Sequence, residues 1–205
     1  MKGKVFCIGR GKTGTTSLER ALSELGYRMG DQASGEFLLR DWARRDFRRI
    51  VELASTAEAF QDIPFSLPYT YQTLDQEFPG ARFVLSVRGS ADEWYESMVR
   101  FHTQIVGTGR RPTAADLKVF GYRYPGWLWE AHHFIYDICE GQEYDRDIYL
   151  AQYERHNEDV RRYFRYRPEA LLELDLSEPD AMSRLCGFLG VEDCGGSMPH
   201  LNRSR

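Results

Sequence analysis

The chain has 205 residues, enough for one domain with an adequate core. Its formal net charge of −4 argues against nucleic acid as a partner, although it permits local basic patches. The sequence shows no signal-type apolar region after Met1-Lys2-Gly3-Lys4 and no run of about 18 apolar residues, so neither a membrane anchor nor a membrane partner is expected. The cysteines, Cys7, Cys139, Cys186 and Cys194, lack metal-ligand spacing, and reduced thiols in a cytoplasmic protein are the expectation.

Val5-Phe6-Cys7-Ile8 is a short apolar run of the kind that forms a buried parallel strand. It breaks into Gly9-Arg10-Gly11-Lys12-Thr13-Gly14-Thr15-Thr16, and from Ser17 the spacing of Leu18, Ala21, Leu22 and Leu25 is helical. Strand, glycine-rich turn and helix together aim backbone N–H groups and a helix N-terminus at an anion. A Walker A reading starting at Gly9 needs a lysine where Thr15 stands, which disfavours an ordinary ATPase or GTPase loop. The dinucleotide pattern GxGxxG fits Gly9, Gly11 and Gly14, with Asp31 near the distance of a ribose-holding acid, but Gly26 to Gly30 is a poor second strand.

Gly35 to Thr56 sets Phe37, Leu38, Trp42, Phe47, Ile50 and Leu53 among arginines and predicts one or two amphipathic helices, either a lid over the site or a solvated surface. Ala57 to Asp62 predicts a short strand ending at Asp62, and Ile63-Pro64 stops it. A short helix from Tyr71 to Phe78 closes at Pro79-Gly80. Ala81 to Arg88 is a near-continuous apolar strand suited to the sheet centre, with Arg88 at its C-terminal end, the edge where open α/β sheets bind ligands. A helix through Trp94, Met98 and Phe101 follows, carrying Ser97 in its first turns. After Gly107 to Pro112 come an aromatic and polar segment from Phe120 to Trp129, a helix with His132 and His133, and a long charged helix from Tyr144 to Tyr166. Ala170 to Leu176 is a further strand, and Ser177 is expected to cap a helix from Pro179 to Leu189 that Gly190 ends. Strands alternate with helices, so the fold class is α/β with a central parallel sheet and helices on both faces.

Lys12-Thr13-Gly14-Thr15-Thr16-Ser17-Leu18 resembles the 5′-phosphosulfate loop of sulfotransferases that use 3′-phosphoadenosine 5′-phosphosulfate (PAPS). Val84 to Arg88 followed by Trp94 to Ser97 resembles their 3′-phosphate motif, an arginine ending a strand and a serine on the next helix. Leu171 to Gly190 resembles the family's late strand and helix, and Pro199-His200-Leu201-Asn202 the tail of a compact, soluble P-loop-type subgroup. Ser17 stands where the aryl and steroid enzymes carry an adenine-stacking tryptophan, and their arginine-rich glycine loop is missing, with Arg203 as its possible substitute. The resemblance implies a three-layer P-loop-like fold and a single sulfotransferase-like domain over residues 1–205, with lid or acceptor-site segments near 30–60 and 101–145. It implies PAPS as co-substrate, held by Arg10, Gly11, Lys12, Thr13, Gly14, Thr15, Thr16, Ser17, Arg88, Ser97 and Arg203, and no metal.

Sulfuryl transfer shares the logic of phosphoryl transfer, in-line displacement catalysed by positioning and electrostatics, and Lys12 lies where the leaving-group charge grows. The acceptor, a small molecule with a hydroxyl or amine, needs a base. Asp62 is the choice at the ligand edge, with a turn-capping role equally open to it and with His102, His132, His133 and Asp31 as rivals. Phe60, Phe65, Tyr69, Tyr71, Tyr122, Tyr124, Trp127 and Trp129 are expected to divide between the core and a pocket for a flat or apolar acceptor. A nucleotide-dependent kinase, an NAD(P)-binding oxidoreductase and a non-catalytic nucleotide-binding module remain as alternatives.

Overall fold

The computed structural model describes residues 2–192 and 196–199. Cys194, His200, Leu201, Asn202 and Arg203 therefore lie outside the described residues. Two compact units divide the chain: Ser90–His156 forms the second, and the residues before and after it form the first.

The first unit is built on strands β1 (Val5–Cys7), β2 (Ala59–Phe60), β3 (Arg82–Val87) and β4 (Leu171–Asp175). They form one sheet in the order β2-β1-β3-β4, and every pair is parallel. The two-residue alternation of a strand sends Val5, Cys7 and Val84 to one face. There they pack with Leu18 and Leu22 of helix α1 (Thr15–Glu24), and with the Met182 and Leu185 side chains of helix α10 (Ala181–Leu189). Phe6 and Phe83 take the opposite face, 5.7 Å apart between ring centroids, with Phe60, Phe65 and Phe78 also around Phe6. Phe164, the last residue of helix α9 (Arg146–Phe164), covers Phe83 at 4.8 Å and meets Tyr71 of helix α5 (Thr70–Glu77). Burying each such phenylalanine contributes about 1.5–3 kcal/mol. Asp75 of α5 accepts from Tyr163 Oη (2.7 Å) and from the Arg167 guanidinium (3.0 Å), which pins that helix. Helices thus cover both faces of a parallel sheet.

Three short helices, α2 (Gln32–Phe37), α3 (Leu39–Ala43) and α4 (Arg48–Ser55), occupy the arginine-rich stretch where one or two were expected. The extra break is at Leu38, which ends α2 and begins α3 with φ −87° and ψ 8°. Met29 bridges Ala59 as an isolated pair, so the segment before α2 touches the sheet edge without becoming a strand. Ser177 does not cap α10. Its N–H and hydroxyl both turn back to Asp175 Oδ1 (2.9 and 2.7 Å), and the helix begins later, after Asp180. Gly190 ends it in the left-handed conformation, as its lack of a Cβ allows.

The second unit holds helix α6 (Ala91–Val106), α7 (Ala114–Val119), α8 (Trp127–Tyr136) and the part of α9 before Asn157. Ser90 Oγ caps α6 by accepting from Glu93 N (3.1 Å), and left-handed Gly107 closes it. Trp94 stacks on Tyr153 at 4.5 Å and Tyr136 on Tyr149 at 3.8 Å, an aromatic interior supplied by three helices.

Candidate active site

The loops that leave β1, β2 and β3 gather at the C-terminal edge of the sheet. The first turns between β1 and α1, with Lys12 (φ 73°) and Gly14 (φ 94°) both left-handed. Gly14 is the N-cap of α1 and supplies no side-chain cap, and no acidic residue occupies the first turn. The leading N–H groups of this helix and its positive dipole end are therefore suited to an anion. Gly9 is required by contact, because a Cβ there would overlap the backbone of Ser86 on β3.

Ser86 is a buried polar residue within the apolar run of β3, and it locks the loop. Thr13 Oγ1 donates to the Arg10 carbonyl (2.7 Å) and lies 2.6 Å from Ser86 Oγ. One hydroxyl hydrogen is thereby used, so Ser86 donates to Thr13. From the end of β3, Arg88 Nε donates to the Lys12 carbonyl (2.8 Å), which sets this arginine against the loop. Arg10, Thr13, Thr15 and Ser17 are buried, whereas Thr16 is exposed.

Asp62 follows β2 by two residues, not at its end, and adopts φ 58°. Its Oδ1 accepts from Ile63 N (2.9 Å), and its Oδ2 lies 3.4 Å from Thr15 Oγ1. A Cβ on Gly11 would sit 3.5 Å from the same carboxylate. Sequence-distant Asp62 and the loop between β1 and α1 thus meet in one place. Burial pushes the Asp62 carboxyl above the usual range, opposed by the Ile63 N–H, the Lys12 charge and the Thr15 hydroxyl. Glu19, on α1, is likewise raised, first by burial and then by the charge of Asp62.

The remaining candidates belong to other elements. Ser97 is buried on α6 in the second unit, whereas Arg88 belongs to the first. Asp31 caps α2 by accepting from Ser34 N (2.5 Å), which gives it a structural task. His102, His132 and His133 all belong to the second unit. His132 is buried between Tyr149 Oη and His102 Nδ1 and is held neutral. Phe60, Phe65, Tyr71 and Trp127 are core residues, 2–3% exposed, whereas Tyr69 and Tyr122 lie at the surface. Ser86, Glu19, Gln61 and Gln32 were not singled out from sequence; a serine inside Val84-Leu85-Ser86-Val87 was the available signal for the first.

A parallel sheet that delivers a glycine turn, a lysine and an uncapped helix start to one edge defines an α/β protein of P-loop-like fold. The family model described as "Sulfotransferase domain" matches residues 4–205, and the chain belongs to that family. It is a transferase by that membership, with sulfuryl transfer as its general activity. No match was found among curated proteins. No helix among the described residues is long and apolar enough to cross a membrane.

Proposed function

We propose that this enzyme moves the sulfuryl group of PAPS to a hydroxyl or amine of a small-molecule acceptor by in-line displacement. The reading rests on one observation above all: the uncapped, lysine-bearing loop meets a carboxylate of raised pKa at Thr15. Bound there, PAPS supplies an activated sulfuryl group on a 5′-phosphate leaving group.

Lys12 and the loop N–H groups stabilise the charge that grows on the leaving group, and they do so more in the transition state than before it. Thr15 and Thr16 add hydroxyl donors, and Arg10, Gly11, Thr13, Gly14 and Ser17 complete the loop's hold on the 5′-phosphate. Arg88, Ser97 and Arg203 hold the 3′-phosphate, and no metal is needed. Asp62 takes the acceptor's proton, and its raised pKa brings it closer to the range useful to a base. Both compact units form one sulfotransferase-like domain in this reading, since the family match runs unbroken across them. Residues near 30–60 and 101–145 border the acceptor, and the protein works in the cytoplasm. Phe60, Phe65 and Tyr71 are committed to the core, so any contact with a flat or apolar acceptor falls to the exposed rings such as Tyr69 and Tyr122.

The test is thermal shift with 3′-phosphoadenosine 5′-phosphate, ATP with Mg²⁺, and NADP⁺, one at a time, followed by radiolabelled PAPS with an acceptor panel. Stabilisation by the first alone, with label passing to an acceptor, is expected. Stabilisation only by ATP or NADP⁺ would replace this reading with a kinase or an oxidoreductase.

A further inference from the structure

Asp62 is bracketed by side chains that have no part in holding a phosphate. Gln61, immediately before it and 8% exposed, donates through Nε2 to Glu19 Oε2 (3.3 Å) and to Gln32 Oε1 (3.2 Å). Gln32 donates through its own Nε2 to Glu36 Oε1 (3.1 Å) and to the carbonyl of Ile63 (3.5 Å), the residue immediately after Asp62. One amide on α2 therefore spans both sides of the left-handed Asp62. The orientation of the row is determined by its ends. A carboxylate accepts only, so Gln61 must present its NH₂ to Glu19, and Gln32 must present its NH₂ to Glu36. Gln61 Oε1 is buried without a hydrogen-bond partner among the described residues, which leaves the two Nε2 bonds to hold this amide.

We propose that Glu19 and Gln32, acting through Gln61 and Ile63, are positioning residues that hold Asp62 in its strained turn as the base of sulfuryl transfer. Non-glycine residues persist in that region only when their surroundings over-determine them, and here two helices do so from opposite sides of Asp62 in sequence. The charge of Asp62 raises the Glu19 carboxyl after burial does, whereas burial is what raises Asp62 itself. The other groups facing this pair are Lys12 and the Thr15 hydroxyl on the loop side, the Cys7 thiol on β1, and Glu36 at the far end of the row. At Asp62, Lys12 opposes the effect of burial.

The proposal rests on the transfer reading above, and the experiment separates the two. Glu19→Met, which removes the acceptor for Gln61, should lower kcat about tenfold while leaving KM for PAPS unchanged, and Glu19→Gln, which keeps an acceptor oxygen, should recover most of that loss. Gln32→Met, similar in shape but unable to bond, should likewise lower kcat about tenfold with KM for PAPS unchanged. Full kcat in Glu19→Met or in Gln32→Met, or no recovery in Glu19→Gln, overturns the proposal while an active wild type keeps the transfer reading. A folded wild type that neither binds 3′-phosphoadenosine 5′-phosphate nor transfers label overturns both.

Discussion

Lys12 and Asp62 are both held in left-handed backbone, φ 73° and 58°, a conformation that costs a non-glycine residue of order 1–3 kcal/mol. Strain at two residues whose charges interact fits a site in which side chains matter more than local comfort. Lys12→Ala should lower kcat by about 10²–10³, the scale for losing a donor aimed at developing charge, in a radiolabel transfer assay. Wild-type turnover in that variant would remove Lys12 from the mechanism. Asp62 has a raised pKa, so its base form is lost as pH falls through that raised value and the rate falls with it. Asp62→Asn should abolish this acid limb along with most of the rate. The same shift has a stability consequence of opposite direction. A carboxyl raised on folding costs stability once the unfolded chain can ionise it, so the penalty is present at neutral pH and absent in acid. Asp62→Asn should therefore melt higher than wild type at pH 7, with the gain vanishing toward pH 4. A gain that persisted there would mean that charge is not its cause.

At the scale of elements, β1 and β3 approach so closely at the loop that Gly9 and Ser86 must be read together. Ser86→Ala removes a buried hydroxyl pair with Thr13 and should cost about 1 kcal/mol, or about 2–4 °C in Tm, with a raised KM for PAPS. Gly9→Ala pushes a methyl group into the Ser86 backbone and should cost about 1–3 kcal/mol or more. If Gly9→Ala melts no lower than Ser86→Ala, the tight strand approach is not a packing constraint. These elements differ in how much of them the sequence discloses. β3 is legible because a strand buried on both faces reads as an apolar run, and α1 because its apolar positions repeat at helical spacing. Helix α7 passed unrecognised although Thr113 and Asp116 form a capping box, because six residues with Leu117 as their buried member give no periodicity. Ser177 read as a cap because serine before a helix usually is one, but Asp175 claims its hydroxyl and moves the helix start. The loop lysine and Asp62 were legible as residue types in the turns that follow two strands. The contact of the loop with Asp62 at Thr15 and the amides around Asp62 were not, since they link residues as far apart as Thr15 and Asp62. No local pattern encodes such a pairing.

For the whole molecule, the two compact units hold different kinds of interior, and this sets its response to acid. The first is centred on aliphatic side chains and on phenylalanines around the sheet, with Phe60, Phe65, Phe78 and Phe83 around Phe6. The second places His132, 1% exposed, among Tyr136, Tyr144 and Tyr149, with ring centroids 4.8 to 5.8 Å away. Tyr149 Oη lies at His132 Nδ1, and His102 Nδ1 lies 3.2 Å from His132 Nε2 and 3.1 Å from Tyr144 Oη. Burial first, then the neighbouring His102 and His133, pushes the His132 pKa well below the ordinary histidine value. A base that refuses its proton in the folded state contributes full stability above its unfolded pKa of about 6.5. That stability is lost as pH falls below this value, because the unfolded chain binds a proton that the folded site excludes. The slope approaches about 1.4 kcal/mol per pH unit for one such group. His132 thus penalises the fold in mild acid, whereas Asp62 penalises it above the carboxylate range, and the two slopes oppose each other where folded Asp62 titrates. Melting curves taken from pH 7.5 to pH 5 should show a falling Tm in wild type. His132→Gln is expected to start lower, since its aromatic contacts are gone, yet to fall less steeply. Equal slopes in the two proteins would show that the acid sensitivity comes from other groups. In Asp62→Asn the slope should steepen over the range in which folded Asp62 titrates, because the compensating gain from protonating it has been removed.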